Sequence, residues 1–329
     1  MIRSLADILA IGFLPFLAQA YFVGSPRWTP DDMPDQSGRI IIITGGNAGV
    51  GKECAKALLK RNAKVYLACR NQQKAEETIN ELRELTGNAA QYLHLDLADL
   101  KSVEAAVTDF TSKETRLDAL MNNGGVMLCP MELNANGYDL QIHTNVLGHF
   151  YFTKLLLPVL LATAAEATSP KDKPRIINVS SSGHYLARSN PLDFNSFKCG
   201  PVRSKYSPSD MYTQSKFANI VFNNELAHRY GDKGLVCTAV NPGNLKTDLN
   251  RYVNTFYHRF ALGCLQLYPA SRGAITQLWA ATAPEAAELN GKYLIPLARV
   301  GSPRADTQDP KLGKDLWEWM EEQVSSIHH

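Results

Sequence analysis

At 329 residues the chain has room for one large α/β domain or two small ones. Its 45% hydrophobic and 20% charged content excludes a disordered chain, and a net charge of +2 without a basic run gives no reason to expect a nucleic-acid partner. The cysteines (Cys54, Cys69, Cys129, Cys199, Cys237, Cys264) are scattered with no C-x-x-C pair, which fits free thiols in a reducing compartment and not a disulfide frame or a metal site.

Residues 1–24 read as an apolar helix. Ser4 and Asp7 form a capping-box pattern at its start, and from Ile8 to Val23 only Gly12, Pro15 and Gln19 interrupt the apolar run. As a helix that run would rise about 24 Å, short of a hydrocarbon core of about 30 Å, and Pro15 would kink it. Three readings stay open: a monotopic membrane anchor, an arm docked on the protein, and a signal cleaved near Ala18-Gln-Ala20. The anchor leads narrowly. It would put residues 4–24 in peripheral contact with a membrane, on the cytoplasmic face of the endoplasmic reticulum or a lipid droplet. Residues 25–38, punctuated by Pro26, Pro30 and Pro34, are a linker.

From residue 39 to 310 strand-like and helical patterns alternate. Arg39-Ile-Ile-Ile-Ile-Thr44 is a strand buried on both faces, followed by strands at 64–69, 91–95, 118–121, 174–179, 235–240 and 292–295. Helices fit near 50–61, 71–86, 100–112, 137–163, 211–230 and 271–282. Such alternation predicts one doubly wound parallel sheet with helices on both faces. Residues 311–329, with Leu316-Trp-Glu-Trp319-Met, predict an amphipathic helix docked on the body or on a partner. Asn178-Val-Ser180 matches a glycosylation acceptor, but it ends a strand expected to be buried and is discounted.

The first strand runs into Thr44-Gly-Gly-Asn-Ala-Gly-Val-Gly51 and then a helix. Glycines let backbone N–H groups approach a pyrophosphate at the positive helix end, so Gly45, Asn47, Gly49, Val50 and Gly51 are candidate dinucleotide contacts. The second strand ends at Cys69-Arg70, where a carboxylate would accept from the ribose of NAD. A guanidinium suits a 2′-phosphate instead, so Arg70 favours NADP(H). Asp96-Leu97 and Asn122-Asn123-Gly-Gly125 end the third and fourth strands, where an adenine and its ribose would lie.

Ser180-Ser-Ser182 leaves the fifth strand and can hydrogen-bond a substrate oxygen. Tyr212 and Lys216 share one face of a helix, where an ammonium would depress the phenol's pKa toward working pH and make it a general acid/base.

These residues resemble the short-chain dehydrogenase/reductase family, classical type, over about residues 38–300. The matching positions are Thr44 to Gly51, Asp96, Asn122 to Gly125, Asn145, Ser181, Tyr212-x-x-x-Lys216 and Pro242-Gly243. The resemblance implies a Rossmann-type domain in which Tyr212 passes a proton during hydride transfer between a nicotinamide and a carbonyl carbon. It implies that Lys216 lowers the phenol's pKa and binds the nicotinamide ribose, that Ser181 orients substrate, and that Asn145 holds a water in the proton relay. Pro242, Gly243 and Thr247 would flank the carboxamide. Ser180 and Ser181 remain ambiguous by one position. Ala68-Cys-Arg70-Asn, His143 to Phe150 and Asn178-Val-Ser-Ser are most similar to the retinol-dehydrogenase-like branch, and WW-domain oxidoreductases share them, although no WW domain precedes this core. Gly124 departs from the alanine usual in that family's Asn-Asn-Ala-Gly turn.

The expected substrate is a lipophilic small molecule such as a retinoid, steroid, fatty aldehyde or specialised-metabolite ketone. Two features suggest it: the long polar segment 184–210 and the aromatic stretch Tyr252 to Tyr268. Packing alone would explain that stretch equally well. A homodimer through the helices carrying Asn145 and Tyr212 is the oligomer the resemblance allows. A non-catalytic NADP-sensing regulator on the same fold is the competing function, and it would be expected to lack the tyrosine or the lysine.

Overall fold

The computed structural model describes residues 14–21, 24–247, 249 and 268–325. Its elements, in order, are α1 (Leu14–Tyr21), β1 (Ile40–Thr44), α2 (Gly49–Lys60), β2 (Lys64–Cys69), α3 (Gln72–Thr86), β3 (Gln91–His94), α4 (Leu100–Thr111) and β4 (Ala119–Asn122). There follow α5 (Leu140–Ala165), β5 (Arg175–Val179), α6 (Pro208–Tyr230), β6 (Val236–Val240), β7 (Leu245–Lys246), β8 (Tyr268–Pro269), α7 (Ala270–Thr282), β9 (Tyr293–Ile295), β10 (Arg299–Gly301) and α8 (Pro310–Ser325).

The main sheet runs β3-β2-β1-β4-β5-β6-β9-β10, parallel throughout except for the antiparallel pair β9–β10. Strand order reverses between β1 and β4, which opens a crevice at the strands' carboxyl ends. Four consecutive isoleucines make β1 suitable for the sheet centre, because residues there are covered from both sides. Ile41 and Ile43 pack under α2, α3 and α7, while Ile42 packs on the other face under α4, α5 and α6. The expected doubly wound, Rossmann-type sheet is what the chain forms.

Several local features differ from expectation. The helix expected over 137–163 is Leu140–Ala165, and His143–Leu147 within it form a wide π turn. Residues 133–139 instead make a small loop closed by a bridge between Leu133 and Asp139, because the Asp139 carboxylate caps Gln141 and Ile142 and so starts the helix later. This helix is long and apolar enough to cross a membrane, yet 72% of its apolar window is buried in the body. The segment 184–210 is less irregular than its composition suggests, since turns of 3-10 helix at Ser182–Leu186, Phe194–Ser196 and Arg203–Lys205 fold it down over buried Leu192 and Phe197. Strand β10 and the β7–β8 pair were not expected.

The C-terminal helix covers the outer face of α5 and α6. Leu316, Trp317, Met320 and Val324 are buried there, with the Trp317 ring 5.1 Å from that of Phe150 and 6.2 Å from that of Phe222. At the other end of the chain, residues 1–13 and 22–23 of the expected N-terminal helix lie outside the described residues, as do 326–329 and most of the aromatic stretch after Arg251. The described part, α1, lies against the Ser182–Leu186 turn and not in isolation.

Candidate active site

The crevice is a cleft of about 980 Å³. Its glycine turn is shaped by two positions that tolerate no side chain. Gly45 sits at φ +64°, and a Cβ there would lie 2.9 Å from Gly124 Cα; a Cβ on Gly51 would lie 2.5 Å from Gly45 O. The backbone of the turn is therefore pressed against the β4 exit, leaving its amides for a ligand. The β4 exit is fixed in return: Asn123 Nδ2 donates to Thr44 O (2.9 Å), and Gly124 N donates to Thr44 Oγ1 (2.8 Å).

Gly45, Asn47, Gly49, Val50, Arg70, Asp96, Leu97, Asn123, Pro242, Gly243 and Thr247 all line the cleft. Gly51 does not; it is buried behind the turn, where its role is close packing. Arg70 stands exposed at the β2 end; Lys52, paired with Glu81 (2.5 Å), and Lys74 also line the cleft, and their spacing gave no signal in the sequence. Asn244 was also missed. Its Nδ2 is buried on the cleft wall without a hydrogen-bond partner among the described residues. An orphaned donor in the cleft, together with a turn that a Cβ would fill, fits a bound dinucleotide.

Helix α6 carries the reactive pair. Ser207 and Asp210 form a capping box with Pro208 in the first turn, so the helix starts cleanly just before Tyr212. Arg188 pairs with Asp210 (2.7 Å) and ties the preceding segment to that cap. Lys216, one turn after Tyr212, is buried; its Nζ donates to Val179 O (2.9 Å) and lies 5.9 Å from the Tyr212 ring centroid. Ser181 lies beside Tyr212, whereas Ser180 is buried and donates to Lys216 O (2.6 Å). All three serines line the cleft; the Ser180 hydroxyl is spent on Lys216 O, and Ser181 is the one beside Tyr212.

Electrostatics differ from the sequence expectation. Burial pushes the Tyr212 phenol up to about 12, against the lowering effect of the Ser181 hydrogen bond. Burial likewise brings Lys216 down to about 8. Desolvation penalises the charged form of each group, and it outweighs any depression of the phenol by the ammonium. The site therefore pairs a neutral phenol with a lysine that still carries its proton at pH 7 but holds it less tightly than an exposed one.

Asn145 stands outside the cleft lining, in the π turn. Its carboxamide is fully used by the protein: Oδ1 accepts from Val126 N (2.9 Å), and Nδ2 donates to Val126 O (3.0 Å) and to Ser215 Oγ (3.0 Å). It pins the β4 exit loop to α6. His149 extends the same frame, its ring bridging Asn145 O (3.1 Å) and Thr44 Oγ1 (2.8 Å), and burial lowers it to about 4, so it is neutral.

A glycine turn at the switch point of a parallel sheet, with a serine, a tyrosine and a lysine across the cleft, defines a dinucleotide-binding oxidoreductase. Comparison with known proteins agrees. The profile of the family described as short chain dehydrogenase matches residues 39–189. A short-chain dehydrogenase/reductase of Armillaria gallica is 50% identical over 93% of this chain and 97% of its own length. Retinol dehydrogenase 11 of Mus musculus is 38% identical over 78% of this chain and 77% of its own. A solved structure from Mycobacterium paratuberculosis superimposes with a TM-score of 0.67 at 30% identity, covering 90% of this chain and 96% of that one. The chain belongs to the short-chain dehydrogenase/reductase family, in its retinol-dehydrogenase-like branch.

Proposed function

We propose that this protein interconverts a carbonyl and an alcohol on a lipophilic small molecule, using NADP(H), with Tyr212 as general acid/base. The observation that carries the reading is the convergence of Ser181, Tyr212 and Lys216 on one cleft whose other walls include Val126, Met127, Leu128, Leu140 and Leu186. Leu186 is 45% exposed at that cleft, an apolar surface that a greasy substrate would cover.

A bound nicotinamide would supply or accept the hydride, and the glycine turn, Asn123 and the Pro242-Gly243 loop would hold it. The chain's own residues handle the proton. Tyr212, whose phenol burial keeps protonated well above working pH, donates to the carbonyl oxygen, and Ser181 steadies the developing negative charge on the same oxygen. Lys216, near the end of its charged range, favours the phenolate that remains. Oxidation of an alcohol is the reverse. The regulator alternative has no support from a site in which serine, tyrosine and lysine are all in place.

The NADP(H) preference rests on Arg70 at the β2 end, with Lys74 on the same cleft and no carboxylate at positions 69–71. We read the apolar residues that precede α1, from Ile8, as a peripheral membrane contact on the cytoplasmic face, tested by flotation with liposomes. A second copy docked on α5 and α6 would meet α8 there, so we read the oligomer as one that does not use that face.

The test is NADPH oxidation, with NADH in parallel, across carbonyls from short aldehydes to retinal-sized and polycyclic ketones. Turnover of large apolar carbonyls that Tyr212→Phe removes supports the proposal. Bound NADPH with no carbonyl turned over would overturn it.

A further inference from the structure

Gln19 is the one amide in an apolar run, and every part of it is engaged by the body of the protein. Its Oε1 accepts from Asn241 Nδ2 (2.9 Å) and from Tyr293 Oη (3.1 Å), and its Nε2 donates to Tyr185 Oη (3.1 Å). Each partner leads to the active site. Asn241 Oδ1 accepts from Gly243 N (3.0 Å), which sets the loop that faces the cleft beside Pro242. Tyr185 and Tyr293 pack on the His184 ring, with centroids 4.0 and 5.1 Å away.

His184 is buried and neutral, lowered to about 4 by desolvation. Its ring is held between Ser181 O (2.7 Å) and Arg304 N (3.1 Å). Because the amide of Arg304 is a donor, Nε2 must accept and Nδ1 must donate to Ser181 O. The tautomer is fixed, and with it the carbonyl of the serine that faces Tyr212. One side chain of α1 therefore touches both loops that frame the reacting centre. Phe16, one turn before Gln19 on the same helical face, lines the cleft.

We propose that α1 is a wall of the substrate site, in which Phe16 is a specificity-determining residue for the apolar part of the substrate and Gln19 is the positioning residue that seats it. The inference rests on the proposed carbonyl chemistry for its substrate class, though not for the docking itself. Apolar contact of this kind discriminates by about 10–200-fold per small group gained or lost. A polar lock explains why an otherwise greasy segment lies in one register: burying an amide is favourable only where all its partners are met.

The test uses the full chain with Phe16→Ala and Gln19→Leu, each first checked for NADPH binding to show that the body is folded. Phe16→Ala is expected to change the ratio of kcat/KM between a polycyclic ketone and a short aldehyde by at least about tenfold, mainly through KM for the ketone. Gln19→Leu is expected to speed backbone hydrogen exchange at 182–186 and 241–243 as well as in α1. A ratio unchanged within about twofold would overturn the role of Phe16, and faster exchange confined to α1 would overturn that of Gln19. Should the parent enzyme turn over no carbonyl, the proposed function fails on that result, while the exchange measurement still decides whether α1 is seated by Gln19.

Discussion

Ser180 and Lys216 are joined by a hydrogen bond, the serine hydroxyl donating to the lysine carbonyl (2.6 Å), whereas Ser181, one position later, lies beside the Tyr212 phenol and favours its ionised form. Adjacent residues leaving a strand point in opposite directions, so only one of two neighbouring hydroxyls can serve the reaction. Ser181→Ala is expected to lower kcat for carbonyl reduction by about 10²–10³-fold, the usual range for one donor to a developing oxyanion. Ser180→Ala removes a brace on α6 and is expected to lower thermal stability with a much smaller loss of kcat. Equal losses of kcat in both variants would contradict the assignment.

Lys216 yields a pH prediction whose sign is fixed. Its pKa falls from 10.5 to about 8 on folding, so between those values the unfolded chain holds a proton that the folded protein has released. Stability then rises with pH across that window, because the cost of the buried charge, present below about pH 8, is relieved. Denaturant titrations of the cofactor-free protein and of Lys216→Met should show the parent gaining about 3 kcal/mol relative to the variant between about pH 8 and 10.5. Tyr212 acts in the opposite sense and only above about pH 10, since its folded value of about 12 means that its contribution is lost at still higher pH. Parallel pH profiles for parent and variant would show that Lys216 is not desolvated as described.

The doubly wound parallel sheet and the residues brought to its cleft were legible because each rests on strong local chemistry. Four isoleucines before a glycine turn specify a central strand and the start of a nucleotide crevice, and Tyr212 with Lys216 needs only helical spacing to be brought together. Strand β10 was not legible. The turn that folds it back places Leu297 and Ala298 at φ +67° and +61°, where Asn and Gly would have announced a hairpin. The π turn at His143–Leu147 adds a residue to a helix without altering its composition, so no periodicity reveals it. Gln19 read as an interruption in an apolar run because its partners, Tyr185, Asn241 and Tyr293, are distant in sequence, with Asn241 222 residues away.

Arg70 tests the cofactor preference. It stands exposed in the cleft at the end of β2, where an acidic residue would serve an unphosphorylated ribose. A charge-assisted hydrogen bond is worth about 1.5–3 kcal/mol, which is about 10–150-fold in affinity. Arg70→Asp should therefore weaken NADPH binding by that factor and leave NADH binding unchanged or improved, read by quenching of protein fluorescence with each cofactor. An unchanged ratio would transfer the phosphate contact to Lys52 or Lys74.

Trp317 links α8 to α5 and to α6, the helix of Tyr212 and Lys216. Its ring is 5% exposed, sits edge-on to Phe150 of α5 at 5.1 Å, and carries the Arg229 guanidinium of α6 over it at 4.4 Å. Trp317→Ala removes this aromatic area from a site that cannot collapse around the loss, because α5 and α6 are fixed by the sheet beneath them. The expected cost is about 3–5 kcal/mol in urea unfolding. Trp317→Phe retains the edge contact and should cost roughly half as much or less. Tyr212 and Lys216 lie in the first turns of α6, away from Phe222 and Arg229 where Trp317 packs, so kcat of the folded fraction should stay within about twofold of the parent under conditions where both are folded. A large fall in kcat with little change in stability would mean that α8 governs the position of Tyr212 through α6 and does more than cover its outer face.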